Sequence, residues 1–180
     1  MTTAQLIRSD IAEMRRVQGS LCPGILACVL YRLAHTARRR GRAGRVVSQI
    51  LTLVSVVVTG AEIHAEARIG PGLRIPHAVG IAVGADVVAG ERLALYGNTT
   101  LGAVSLGGGF PTLGDRVTVG LNASVLGEIT IGDDVAVGAH ALVIGDIPAG
   151  HTAAGVPARS WPTRRETDPP EPARRLSVLR

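Results

Sequence analysis

The chain predicts a mainly β fold, a parallel β-helix with a short N-terminal α-helical region, from an aliphatic beat of six, a second beat of small residues and recurrent glycine. Ile63, Ile69, Ile75, Ile81, Val87 and Leu93 keep the six-residue spacing, Thr99 continues it weakly, and Leu113, Val119, Val125, Ile131, Val137 and Val143 resume it. Four residues after these positions stand Ala67, Leu73, Val79 and Ala85, then Val117, Ala123, Ile129, Val135 and Ala141. A helix would need a period near 3.6 and an antiparallel strand a period of 2, so a beat of six points to a hexapeptide solenoid. Three hexapeptides make one triangular coil. The first-position aliphatic points inward and the residue four later sits near a corner. Gly70, Gly120, Gly132 and Gly138 follow beat residues, where a tight corner is expected to use positive φ.

The elements follow in order. Ala4 to Val17 reads as a helix capped near Thr2 or Thr3, with Leu6, Ile11 and Met14 on its apolar side. Gly19, Pro23 and Gly24 break it. Leu26 to Arg40 reads as a second helix and Val46 to Val58 as an apolar third, expected to close the bottom of the prism, whose first coil would otherwise expose its core. Residues 1–60 thus form the helical region, 61–162 the β-helix, and 163–180, rich in proline and charge, a disordered tail. The gap from Thr99 to Leu113 is one hexapeptide plus eight, so a glycine-rich loop near Ala103 to Pro111 leaves the prism. An insertion at one corner has no packing purpose within its own coil and is expected to reach a ligand or a neighbouring subunit.

With 180 residues, 46% of them hydrophobic, the chain can build one domain with a sizeable core. Tyr31, Tyr96, Phe110 and Trp161 are too scattered to stack bases, so the formal charge of +5 does not argue for nucleic acid. Much of that charge is local: Arg38, Arg39, Arg40, Arg42 and Arg45 form one cluster. Cys22 and Cys28 fit no metal or disulfide pattern and read as buried thiols. No secretory signal opens the chain, and the apolar run Ile50 to Thr59 is too short to span a bilayer, which together predict a cytoplasmic protein.

Polar residues point outward in a solenoid, so titratable pairs in adjacent coils are the informative ones. Glu62 and His77 are fifteen apart, three short of a coil of eighteen, which predicts neighbouring rungs near one edge. A carboxylate that accepts from one ring nitrogen fixes the tautomer and leaves the other free to take a proton from a hydroxyl. His64 is a second candidate nearby. His140 and His151 have no evident acidic partner. Gly107-Gly108-Gly109 lacks the Lys and Ser/Thr of a phosphate loop, and no nucleophile elbow is present.

The segments YRLAH at Tyr31 to His35, EIHAEARIGPG at Glu62 to Gly72, IPHAVGIAVG at Ile75 to Gly84, TLG at Thr100 to Gly102, Leu113 to Gly120, and TAAGVPAR at Thr152 to Arg159 resemble the serine O-acetyltransferases among hexapeptide-repeat acyltransferases. The resemblance covers about Tyr31 to Trp161. It implies a left-handed β-helix, a homotrimer with active sites between adjacent prisms, and acetyl-CoA as cosubstrate, with no metal. His77 falls on the family's catalytic histidine and Glu62 on the Asp that orients it. His64 also matches a family position. Ala103, Leu121, Ala139 and the turn Gly155-Val156-Pro157 fall where relatives line the acetyl-CoA arm and adenine.

The acceptor side departs from the family pattern. Pro76 stands where serine acetyltransferases place an Asp, and Gly109-Phe110 where they carry Arg-His, so Pro76 and Phe110 are the expected acceptor-side residues. The family's helical-domain Asp has no counterpart, Asp10 matching a different acidic position. A chain ending Leu179-Arg180 lacks the C-terminal Ile that docks into cysteine synthase, so that complex is not expected, and the shortened N-terminal portion favours a single trimer. The acceptor that the resemblance implies is L-serine or a serine-like metabolite; a sugar or polysaccharide hydroxyl is the alternative, and a catalytically inactive binding β-helix is another. A γ-type carbonic anhydrase would need three metal-binding histidines, a spacing that His64, His77 and His140 lack.

Overall fold

Three parallel sheets wind around an aliphatic core in the computed structural model, which describes residues 1–18 and 22–163. The stretch 164–180, most of the expected tail, lies outside the described residues. The first face stacks β1 (Ala61–Ile63), β3 (Ile81–Val83), β6 (Thr100–Gly102), β9 (Ser124–Leu126) and β12 (Leu142–Val143). The second stacks β2 (Arg68–Ile69), β4 (Val88–Ala89), β7 (Thr112–Leu113) and β10 (Thr130–Ile131). The third stacks β5 (Ala94–Leu95), β8 (Thr118–Val119), β11 (Ala136–Val137) and β13 (His151–Gly155), on which β14 (Ala158–Pro162) folds back antiparallel. This is the expected β-helix.

Its register corrects the beat. Ala61 lies opposite Ile81, Arg68 opposite Val88 and Arg74 opposite Ala94, so the first coil takes 20 residues, whereas Ala82 lies opposite Thr100, a step of 18. Two extra residues therefore enter between Arg74 and Ala82. Beyond them the inward column runs through Val83, Ala89, Leu95 and Leu101, and the six-beat residues Ile81, Val87, Leu93 and Thr99 occupy the other buried track. Both tracks are apolar, which hid the slip in the sequence. Val79, expected on the second beat, is 68% exposed as a result. The insertion at residues 103–111 appears where expected but adds six residues rather than eight, since Leu101 pairs with Val125 across a step of 24.

The glycines after the beat do not serve positive φ. Arg92, Asn98, Arg116, Asn122, Asp134 and His140 take that conformation at the corners, while Gly70, Gly120, Gly132 and Gly138 do not. They are needed for close stacking: a Cβ at Gly70 would stand 2.5 Å from the Gly90 carbonyl oxygen, and one at Gly132 2.4 Å from the Ala149 nitrogen.

The helices are α1 (Thr3–Gln18), α2 (Pro23–Arg38) and α3 (Gly41–Thr59). Thr2 and Gln5 form a reciprocal capping box, Thr2 N–H donating to Gln5 Oε1 at 2.7 Å and Gln5 N–H to Thr2 Oγ1 at 3.3 Å. The element that plugs the prism is α2, not the expected third helix. Gly24 approaches Ile75 so closely that a Cβ there would overlap its carbonyl oxygen, Tyr31 Oη donates to Ala67 O at 2.8 Å, and Arg32 donates to Ile69 O and Gly70 O, each at 2.6 Å. The buried Asp10 carboxylate accepts from Arg32 Nε at 2.8 Å and from the Gly72 and Leu73 N–H groups at 2.9 Å, tying α1, α2 and the first coil together.

Helix α3 runs the full stretch from Gly41 to Thr59, which makes it long and apolar enough by length and composition to cross a membrane; the shorter run read from the sequence missed its first turns. It lies against α2, and Ser55 Oγ donates to Ala61 O at 2.9 Å.

Asp10→Ala would leave the Arg32 charge buried without its partner and two backbone N–H groups unpaired. Its expected cost is about 3–5 kcal/mol of folding stability, read by chemical denaturation; a loss below about 1 kcal/mol would show that the pair does not hold the plug.

Candidate active site

His77 sits in the two-residue widening of the first coil. With Pro76 buried behind it, the imidazole is lifted out at the corner between the third and first faces, where it is exposed. Above it, a side chain at Gly97 would stand 3.5 Å from His77 Cβ and 3.4 Å from Leu121 Cδ1, so Gly97 leaves the space between them open. The ladder continues this column upward: Asn98 N–H donates to Val79 O, Asn122 N–H to Gly97 O and His140 N–H to Leu121 O, while Val137 pairs with Ala153. Leu121, Ala139 and Gly155 therefore stand one above another on the corner that carries His77. At about 4.8 Å per rung the column rises roughly 19 Å from Val79 to Gly155. Gly155, Val156 and Pro157 form the exposed turn of the β13–β14 hairpin at its top.

Glu62 is on β1, on the outward side of the first face, with Ala82 and Thr100 stacked above it. It stands round the corner from His77, five residues short of a full coil rather than three, and no hydrogen bond joins the two side chains within the chain. What Glu62 does share is a groove with His64. On one side the two line a pocket of about 480 Å³ with Arg38, Ser48, Thr52 and Leu53, between α3 and β1. On the other they line a shallower one of about 240 Å³ with Ala82, Gly84, Thr100 and Gly102.

His64 is not placed as a base. Its Nδ1 accepts the Glu66 N–H at 3.2 Å, which in the neutral ring puts the proton on Nε2, a donor free for a ligand. Glu66 beside it is held below the usual carboxylate range by its hydrogen bonds from Arg38, one of them 2.9 Å from Nε. The carboxylate is thereby engaged, and Arg38 with it.

The inserted loop brings Phe110 to the same face. Its ring is half-buried over Gly84, where a Cβ would stand 2.2 Å from a ring carbon, and Gly109 is held against Glu128. Ala103 lies at the foot of this loop, at the corner between the first and second faces, so it does not join the His77 column. Gly84, Gly97, Ser48 and Thr52 are contributors that the sequence reading missed. The signal for the last two was present in the small polar positions Ser48, Thr52, Ser55 and Thr59, one helical face of α3. Nothing local marks Gly84, whose neighbour arrives from 26 residues further along the chain. Among the described residues no cluster of three His, Cys, Asp or Glu side chains could hold a metal ion.

Gly84→Ala is expected to drive the Phe110 ring off its seat and shift the loop. A crystal structure of the variant with the ring unmoved would show that the loop is held by other contacts.

No family model matches the chain. It is 42% identical over 142 residues to the serine acetyltransferase of Helicobacter pylori strain J99, an alignment that spans 78% of this chain and 82% of that protein. The soybean serine acetyltransferase complexed with serine superposes with a TM-score of 0.83 at 33% identity, covering 89% of this chain and 70% of that one. The Brucella abortus serine acetyltransferase in complex with coenzyme A gives 0.81 at 28% identity, covering 87% and 66%. The match is to a solenoid preceded by N-terminal helices, the left-handed β-helix of hexapeptide acyltransferases. On the similarity to the Helicobacter pylori enzyme over most of both chains, this chain belongs to the serine acetyltransferase family of acyltransferases.

Proposed function

We propose that this chain transfers the acetyl group of acetyl-CoA to the hydroxyl of L-serine, with His77 as general base. The observation that carries this reading is the widened first coil, which sets His77 at the foot of the column formed by Leu121, Ala139 and Gly155. An extended thioester arm laid along that edge brings its acyl end to the imidazole. Relatives solved with serine and with coenzyme A support both ligands.

His77 takes the proton from the acceptor hydroxyl as the oxygen attacks the thioester carbonyl carbon. The carbonyl electron pair moves onto oxygen, where a backbone N–H at a coil corner stabilises it. Collapse of the tetrahedral intermediate breaks the C–S bond, and the departing thiolate recovers the proton from the imidazolium. The products are O-acetylserine and coenzyme A, with no acetyl-enzyme. The Nε2–H of His64 offers a donor for the serine carboxylate. Ala103, with the loop it anchors, reaches coenzyme A on a neighbouring prism, in a cytoplasmic homotrimer whose adjacent prisms close each site.

A sugar hydroxyl is the second reading, favoured by Phe110 over Gly84 and by Pro76, neither of which offers a charge to an amino acid. Thiol release from acetyl-CoA with L-serine, homoserine and a panel of sugars separates the two: turnover of L-serine is expected, and none at millimolar concentration, with sugar turnover present, would overturn the serine assignment. His77→Ala is expected to lower kcat by about 10²–10⁴-fold. Activity unchanged by that substitution would rule out His77 as base.

A further inference from the structure

Beside the column that rises from His77 stands a second one, polar where the first is small or apolar. Gly80, Asn98, Asn122 and His140 form it, one to a coil, each at positive φ on the corner. Gly80 holds that conformation with no side chain at all, so the turn itself does not call for an imidazole. His140 is exposed, and Asn122 Nδ2 donates to its Nε2 at 3.2 Å. Because an amide nitrogen only donates, Nε2 is the acceptor and the neutral ring carries its proton on Nδ1. No group among the described residues engages that Nδ1–H.

The height of this donor identifies what it meets. His140 stands three rungs above the coil of His77, a rise of about 14 Å at about 4.8 Å per rung. The arm of coenzyme A from its sulfur to its first phosphorus is about 15 Å long when extended, at about 3.5 Å for every three bonds. A sulfur held at His77 therefore carries the pyrophosphate to the level of His140. Leu121 and Ala139, next to it on the first column, offer that anion no side-chain donor. Arg159, exposed on β14 opposite Ala154, adds positive charge near the head of the same face. We propose that His140 donates from Nδ1 to the pyrophosphate of acetyl-CoA, and that Asn122 fixes the tautomer that makes it a donor. This rests on the reading that the acyl arm lies along the His77 column, and it assigns the upper part of that column to the charged end of the cosubstrate.

The test is isothermal titration calorimetry of the full chain with coenzyme A and with millimolar pantetheine, which ends before the phosphates. Two variants of equal size are compared, both tolerant of positive φ, so that a folding defect would show in both. His140→Asn keeps a donor and is expected to keep the affinity for coenzyme A. His140→Asp sets a carboxylate against the pyrophosphate and is expected to weaken coenzyme A about threefold to tenfold, at least the worth of one hydrogen bond, with pantetheine unaffected. Coenzyme A bound as tightly by the aspartate variant as by the wild type overturns the assignment. So does a loss that pantetheine shares, which would place the contact on the arm. Both results leave the arm on the His77 column, whereas a wild type that binds no coenzyme A removes that reading and this one with it. No acceptor is present in the titration, so the outcome does not depend on whether the acceptor is serine.

Discussion

Everything functional in this molecule depends on the hydrogen-bond ladder between coils keeping its register. A column of side chains on a solenoid edge exists only if each coil returns to the same corner on the rung above, and the backbone N–H to carbonyl bonds enforce that return at every corner. Where the ladder admits two extra residues without losing pairing, the chain must leave the prism, and here that place is Pro76 to Val79. The imidazole is displayed because the ladder above and below it does not give way.

The same rigidity explains the polar groups at the base. A solenoid's first coil has an open end, and the plug that fills it must satisfy the coil's backbone groups as well as cover its aliphatics. Arg32 and Asp10 do both from within one ion pair, donating to two carbonyls and accepting two N–H groups. Replacing either by an apolar residue would cover the core and leave the backbone unpaired.

The solenoid was legible in the sequence because the core is linear: Ile63, Ile69 and Ile75, then Leu113 to Val143, report the coil directly. The start of the first helix was legible for a local reason, the capping residues Thr2 and Thr3 ahead of its apolar side. What was not legible was the register between those two runs. Because both inward tracks are aliphatic, Ile81 and Val87 kept the beat while changing track, and only pairing reveals it. The interval from Glu62 to His77 was read as three short of a coil and is five short in the structure. The face of α3 was misread for a different physical reason: apolar residues were taken to face the plug, and small hydroxyl residues face it instead. Phe110 over Gly84 depends on a loop path that no local pattern encodes.

The hairpin at the top of the third face bears on what happens when many copies meet. Repeating coils with bare strand edges are a template for endless end-to-end growth into fibrils. By turning back on β13, Ala158–Pro162 occupies the next rung with a strand running the wrong way, and α2 occupies the rung below the first coil. The third face is thereby closed at its top by a reversed strand, which offers an incoming parallel coil no continuation of the ladder there.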